Sequence, residues 1–148
     1  MTGSVSAEMD LTWRYAASAP MRRFLEGVAE GRLEAGRCTG CGRRYLPPRP
    51  FCGRCRLAIT EWVPVTDRGV LEAWTLVHLP IRDGRSGEMR PSPYGMGLIR
   101  LDGADTTLNH YLQLPDGVEP RIGDRVQAVW RPERRGAMDD ILHFEVIR

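Results

Sequence analysis

The residues with the clearest chemistry are four cysteines. Cys38-Thr39-Gly40-Cys41 and Cys52-Gly53-Arg54-Cys55 form two C-x2-C pairs separated by ten residues. A tight turn within each pair aims two thiolates at one ion, and Gly42 and Gly53 give the backbone freedom to curl around it. Four thiolates make a closed tetrahedral site, the usual geometry of structural zinc. Iron fits the same sulfur tetrahedron, and a redox dithiol or two disulfides are the other uses of such cysteines. The linking segment carries Pro47, Pro48 and Pro50, which stiffen a short hairpin that returns the second pair to the first. On this reading Cys38, Cys41, Cys52 and Cys55 hold one metal ion, zinc before iron, with no position left for a catalytic water. The ion's task is to fold a region poor in apolar side chains, where a binding free energy of order ~10 kcal/mol becomes folding free energy.

The surroundings of the motif are basic. Arg37, Arg43, Arg44, Arg49, Arg54 and Arg56 fall within residues 37–56, which contain no acid. Residues 1–60 carry ten Arg and five acids, whereas residues 61–148 carry eleven Arg and fourteen acids. Such a patch is either a solvated surface or a face for phosphates or an acidic protein, since Arg pairs bidentately with both. All 21 basic residues are Arg, so Schiff-base chemistry and a P-loop lysine are excluded. No G-x-S-x-G, Gly-rich phosphate loop or H-E-x-x-H motif occurs. His78, His110 and His143 lie in expected strands and read as structural residues. Asp139-Asp140 reads as a turn, and Trp74 and Trp130 as core.

These residues must be positioned by about one domain's worth of chain. The sequence has 148 residues, 42% hydrophobic and 27% charged, with net charge +2, an ordinary globular composition. No apolar run reaches the length of a membrane span. Met1 to Ser18 lacks the apolar stretch of an export signal, which gives the expectation of a reducing, cytoplasmic setting where disulfides are disfavoured. Residues 1–17 read as a lead whose Leu11, Trp13 and Tyr15 alternate with polar residues. Residues 19–34 predict a helix, capped by Ser18 and with Pro20 in its first turn. Its apolar face is Met21, Phe24, Leu25 and Val28; Gly31 weakens it and Gly36 ends it. From Glu61 the pattern is β, with strands expected at 61–65, 70–79, 96–101, 106–114, 125–131 and 141–147. Turns are expected at Asp67-Arg68-Gly69, Asp102-Gly103, Pro115-Asp116-Gly117, Gly123-Asp124 and Arg134-Arg135-Gly136. Residues 80–94 read as a long loop, either mobile or functional. The chain thus divides into a tail and helix (1–36), a metal ribbon (37–60) and a β unit (61–148). For the last, a small sandwich or a Greek-key barrel of the OB type is expected.

The order of these features resembles a known family, the rubredoxin-like zinc-ribbon plus OB-fold proteins associated with acyl-CoA enzymes, long catalogued as a domain of unknown function. The residues that carry the resemblance are Phe24-Leu25-Glu26-Gly27 with Gly31-Arg32-Leu33 and Arg37-Cys38-Thr39-Gly40-Cys41-Gly42. They continue as Tyr45-Leu46-Pro47-Pro48-Arg49-Pro50, then Cys52 and Cys55, with weaker matches at Trp62, Gly69 and Ile122-Gly123-Asp124-Arg125-Val126. The resemblance implies a mainly β fold with an N-terminal helix, a zinc ribbon followed by an OB-fold Greek-key barrel. It implies a non-catalytic accessory subunit in a hetero-oligomer. The partner would be a thiolase-like enzyme or an aldolase of steroid side-chain degradation, in some cases a MaoC-type hydratase. It further implies contact with coenzyme A, whose phosphates would favour Arg43, Arg44 or Arg49. Two other readings compete. A zinc ribbon and an OB-fold both serve single-stranded nucleic-acid binding, against which stand the negative barrel half and its few aromatics. An enzyme in its own right lacks a recognisable catalytic set.

Overall fold

The computed structural model describes residues 16–114 and 119–147. The lead at 1–15 and the expected turn Pro115-Asp116-Gly117 lie outside the described residues. Helix α1 runs Ala19–Ala29, with Ser18 as its N-cap accepting the Met21 N–H at 3.4 Å. Phe24, Gly27 and Val28 face inward, as the apolar period requires. The helix is shorter than expected. Gly31 takes φ +74°, and the Arg32 N–H reaches back to the Gly27 carbonyl at 2.8 Å. That left-handed residue ends the helix outright. Leu33, inside the expected helix, and Ala35, just beyond it, lie buried on strand β1, Leu33–Arg37.

Strand β1 organises a three-stranded sheet. It pairs with β2 (Arg44–Tyr45) on one side and with β3 (Glu61–Val65) on the other, both antiparallel. The β3 strand is where the sequence places it, but it belongs to the ribbon's sheet rather than to the barrel. The barrel consists of β4 (Arg68–Val77), β5 (Tyr94–Leu101), β6 (Leu108–Leu112), β7 (Arg125–Trp130) and β8 (Ile141–Val146). It closes in the order β4-β5-β6-β8-β7, with β4 pairing back to β7. Neighbours are antiparallel except the brief parallel contact of β6 with β8. Five strands closed with this connectivity form an OB-type barrel, which leaves no long free edge. Gly69 is a strand residue here, not a turn residue. A Cβ at that point would run into the Arg100 carbonyl where β4 crosses β5.

One apolar core joins the parts. Phe24 and Val28 of α1, Leu33 and Ala35 of β1 and Leu46 of the ribbon pack with Leu71, Ile99, Leu101, Leu108, Val126, Ile141 and Phe144 of the barrel. Trp74 and Trp130 are partly buried against that core.

The connection between β4 and β5 is ordered by polar contacts. It doubles back as a hairpin through the Arg82–Met89 bridge, and the Asp83 carboxylate accepts the Arg85 and Ser86 N–H groups at 3.0 and 2.9 Å. From its tip Arg85 reaches the short 3-10 turn Met138–Asp140, bonding Asp139 at 2.8 Å and Asp140 at 2.6 Å. Asp140 is fully buried and accepts the N–H groups of Arg135, Gly136 and Ala137 at 3.0, 2.7 and 3.0 Å. The adjacent carboxylates are therefore turn residues, as expected, and also a latch for the β4–β5 connection. Burial alone would raise the Asp140 pKa; the three N–H groups and the Arg85 guanidinium hold it below the usual carboxylate range.

Asp140→Asn is expected to cost about 2 kcal/mol at neutral pH, because one acceptor is replaced by a donor facing three N–H groups. A depressed folded-state pKa contributes stability above the unfolded value of about 3.9 and loses it as pH falls through the folded value. The gap between the parent and Asp140→Asn urea midpoints should therefore be constant from pH 7 to 5 and narrow in more acid solution.

Candidate metal centre

The four expected ligands meet at one point. The sulfur atoms of Cys38, Cys41, Cys52 and Cys55 all lie within 4.8 Å of one another, with Cys41 and Cys52 at 3.7 Å. Zn–S bonds of about 2.3 Å in a tetrahedron place sulfurs about 3.8 Å apart, so the donor set fits a four-coordinate cation. A cation held by all four sulfurs would have no open coordination position.

The local backbone is two copies of one turn. In the first, the Gly42 N–H donates to the Cys38 carbonyl at 2.8 Å and the Cys38 N–H to the Arg43 carbonyl at 2.9 Å. In the second, the Arg56 N–H donates to the Cys52 carbonyl at 2.9 Å and the Cys52 N–H to the Leu57 carbonyl at 2.8 Å. The residue after each pair is left-handed, Gly42 at φ +72° and Arg56 at φ +60°. Sequence reading finds the first turn by its glycine; the second carries an arginine in the same conformation. Gly53, offered as backbone freedom for the second turn, is not in the left-handed region.

Tyr45, from β2, completes the site. Its hydroxyl lies 3.2 Å from the Cys52 sulfur and accepts the Gly53 N–H at 3.1 Å. The Arg54 and Cys55 N–H groups also reach that sulfur, each at 3.4 Å. With Tyr45 donating, and the two N–H groups adding to it, the Cys52 thiol is pulled down to about 6. Cys55, facing Cys41 and desolvated, is pushed up to about 12. One thiolate thus forms readily and a further one is resisted, a conflict that a bound cation removes. Tyr45 was missed as a site residue, since it was read only as part of the family pattern.

The basic residues divide on inspection. Arg44 is held by Asp105, through its backbone N–H at 2.8 Å and its side chain at 3.3 Å, and Arg37 by Glu61 at 3.0 Å. Arg43 and Arg49 lie over the Tyr45 ring at 5.7 and 4.7 Å, near the cation–π range. Of the histidines, His110 is buried. It accepts the Tyr111 N–H through Nδ1 at 2.9 Å and donates from Nε2 to the Met138 carbonyl at 3.2 Å. Burial lowers its pKa, and with both nitrogens engaged it is a structural residue.

Cys41→Ser is expected to lose stoichiometric metal and to lower the unfolding temperature, read by elemental analysis and calorimetry. Full metal content in that variant would contradict four-sulfur ligation. The paired turns give a second expectation. Gly42→Ala forces a side chain into the left-handed region and should destabilise by about 1 kcal/mol. Arg56→Gly, which relieves the same penalty in the second turn, should be neutral or stabilising in the same assay.

Residues 25–58 match the ChsH2 rubredoxin-like zinc ribbon domain, and residues 62–131 match the ChsH2 C-terminal OB-fold domain. No curated protein matches the chain in sequence. Among solved structures, one described as the Ltp2-ChsH2(DUF35) aldolase is 24% identical, with a TM-score of 0.64 over 90% of this chain and 98% of that one. A DUF35-family protein of unknown function from Sulfolobus solfataricus is 19% identical, with a TM-score of 0.63 over 88% of this chain and 87% of that one. These likenesses bear on the fold, and agree with the ribbon-then-barrel order. With consecutive ribbon and barrel matches that together span most of its length, the chain belongs to the ChsH2-type family of zinc-ribbon and OB-fold proteins.

Proposed function

We propose that this chain is a non-catalytic accessory subunit, cytoplasmic, that binds and stabilises an aldolase-type or thiolase-like enzyme acting on acyl-coenzyme A substrates. Steroid side-chain degradation is the first pathway class, and a MaoC-type hydratase the second partner class. The observation that carries the reading is the pair of ChsH2 domain matches, together with a similar solved structure described as an Ltp2-ChsH2 aldolase. The chemistry of the site supports it. The metal centre, which we assign to zinc, has its four positions filled by sulfur, and the buried His110 has no free nitrogen. A closed sulfur site shapes a surface and does not activate water. The described residues contain no helix long and apolar enough to cross a membrane.

Coenzyme A contact is the finer part of the proposal. Arg43, Arg44 and Arg49 were the candidates. Because Arg44 is engaged by Asp105, Arg43 and Arg49 beside Tyr45 are the better placed for phosphates.

Co-expression with an aldolase or thiolase-like enzyme of the same host should give a complex that co-elutes in size-exclusion chromatography, with partner stability raised. Partners that fold alone, work fully and never co-elute would refute it. Calorimetry with coenzyme A, on the complex and on the free chain, should show binding weakened in Arg43→Ala/Arg49→Ala. Unchanged affinity would remove these arginines from the proposal and leave the scaffold reading standing.

A further inference from the structure

The four sulfurs of the metal centre are not equivalent. That of Cys52 receives three donors: the Tyr45 hydroxyl at 3.2 Å and the Arg54 and Cys55 N–H groups, each at 3.4 Å. Among the described residues, no N–H or O–H group donates to the sulfurs of Cys38, Cys41 or Cys55. The two backbone donors belong to the second turn itself, whereas the hydroxyl comes from outside it, on β2. A sulfur bound to a cation carries no proton, so the hydroxyl is the donor of that pair. Its oxygen accepts the Gly53 N–H at 3.1 Å, which leaves its own proton for the sulfur.

The hydroxyl is held in place from several sides. Tyr45 is buried, and its backbone pairs with Gly36 of β1. The next residue, Leu46, is buried in the core and held at its N–H and its carbonyl by the Thr106 hydroxyl, at 2.8 and 2.9 Å. Arg49 and Arg43 lie over the Tyr45 ring at 4.7 and 5.7 Å. Cations on the ring face draw density from the phenol and make its O–H a stronger donor. The first turn offers the opposite case. Cys41 is exposed, while Cys38 and Cys52 are buried and Cys55 is half-buried.

We propose that Tyr45 is a positioning residue for the metal: its hydroxyl makes Cys52 the anchoring sulfur and leaves Cys41 as the sulfur through which the cation is released and regained. A donated hydrogen bond spreads the charge of a thiolate and eases the crowding of four sulfurs around one ion. A sulfur without a donor keeps its full charge, and of the three such sulfurs that of Cys41 belongs to the most exposed residue. This proposal rests on the four-sulfur reading of the centre and is independent of the aldolase partner.

The test compares the zinc-loaded full chain with Tyr45→Phe, which keeps the ring and the arginines over it. Gly53 is exposed, so water takes its freed N–H. Zinc transfer to excess EDTA should be about tenfold faster in the variant, while the circular dichroism of the zinc-saturated form stays that of the parent. With iron in place of zinc, the reduction potential of the variant should fall, because a thiolate that loses a donor favours the oxidised ion. Brief treatment of the zinc-loaded parent with iodoacetamide, in which a sulfur displaces iodide from carbon, should alkylate Cys41 first, as located by peptide mass. Faster zinc loss with an unchanged iron potential would make Tyr45 a packing residue and overturn the proposal. An unchanged transfer rate, or first alkylation at Cys38, Cys52 or Cys55, would overturn it too. A parent without stoichiometric metal would overturn the four-sulfur reading itself, and this proposal with it.

Discussion

The convergence of four sulfurs on one point is the constraint around which the ribbon is built. Between Cys38 and Ile59 the side chains buried together as a local cluster are Cys38, Tyr45, Cys52 and Ile59, with Cys55 against them. That is too little apolar surface to offset the entropy of ordering the segment. The thiols themselves resist full ionisation, because the Cys41 contact and then burial hold the Cys55 thiol in its protonated form while Cys52 ionises readily. A divalent cation resolves both difficulties at once, supplying the missing cohesion and neutralising the charge that the four sulfurs would otherwise crowd into one place.

The ribbon is in turn attached to the barrel by directional contacts. Arg44 bonds Asp105 through backbone and side chain, and the Thr106 hydroxyl both accepts the Leu46 N–H at 2.8 Å and donates to its carbonyl at 2.9 Å. Leu46, two residues into the ribbon hairpin after Arg44, is fully buried in the barrel's core. Thr106 therefore leaves the β ladder that sequence alternation assigns it, and β6 starts at Leu108. Position of the sulfur centre and position of the barrel face are fixed relative to each other by this short stretch.

What was legible in the sequence was what local spacing encodes. The two C-x2-C pairs declare the ligands without any tertiary information. Alternation places all six strands from β3 to β8 to within two residues at each end. What was not legible depended on partners distant in the chain. The helix expected over 19–34 overlaps the start of β1, and the ladder with β3 is what assigns Leu33 and Glu34 to a strand. Asp139-Asp140 gives no hint that Arg85, more than fifty residues earlier, will bind it. The left-handed Arg56 carries no glycine to announce it.

The pairing of β1 with β3 has a thermodynamic meaning of its own. Five residue pairs join the strand that enters the ribbon to the strand that leaves it, so the whole metal-bearing excursion is a loop whose ends are already tied. The entropy of bringing those ends together is met by the ladder, not by the ion. The two halves of the sulfur cage consequently remain neighbours when the cation departs, and recapture proceeds at the high effective concentration of a tethered pair of chelates. The cation's binding free energy is therefore left to order the segment between two tied ends, and not to find those ends.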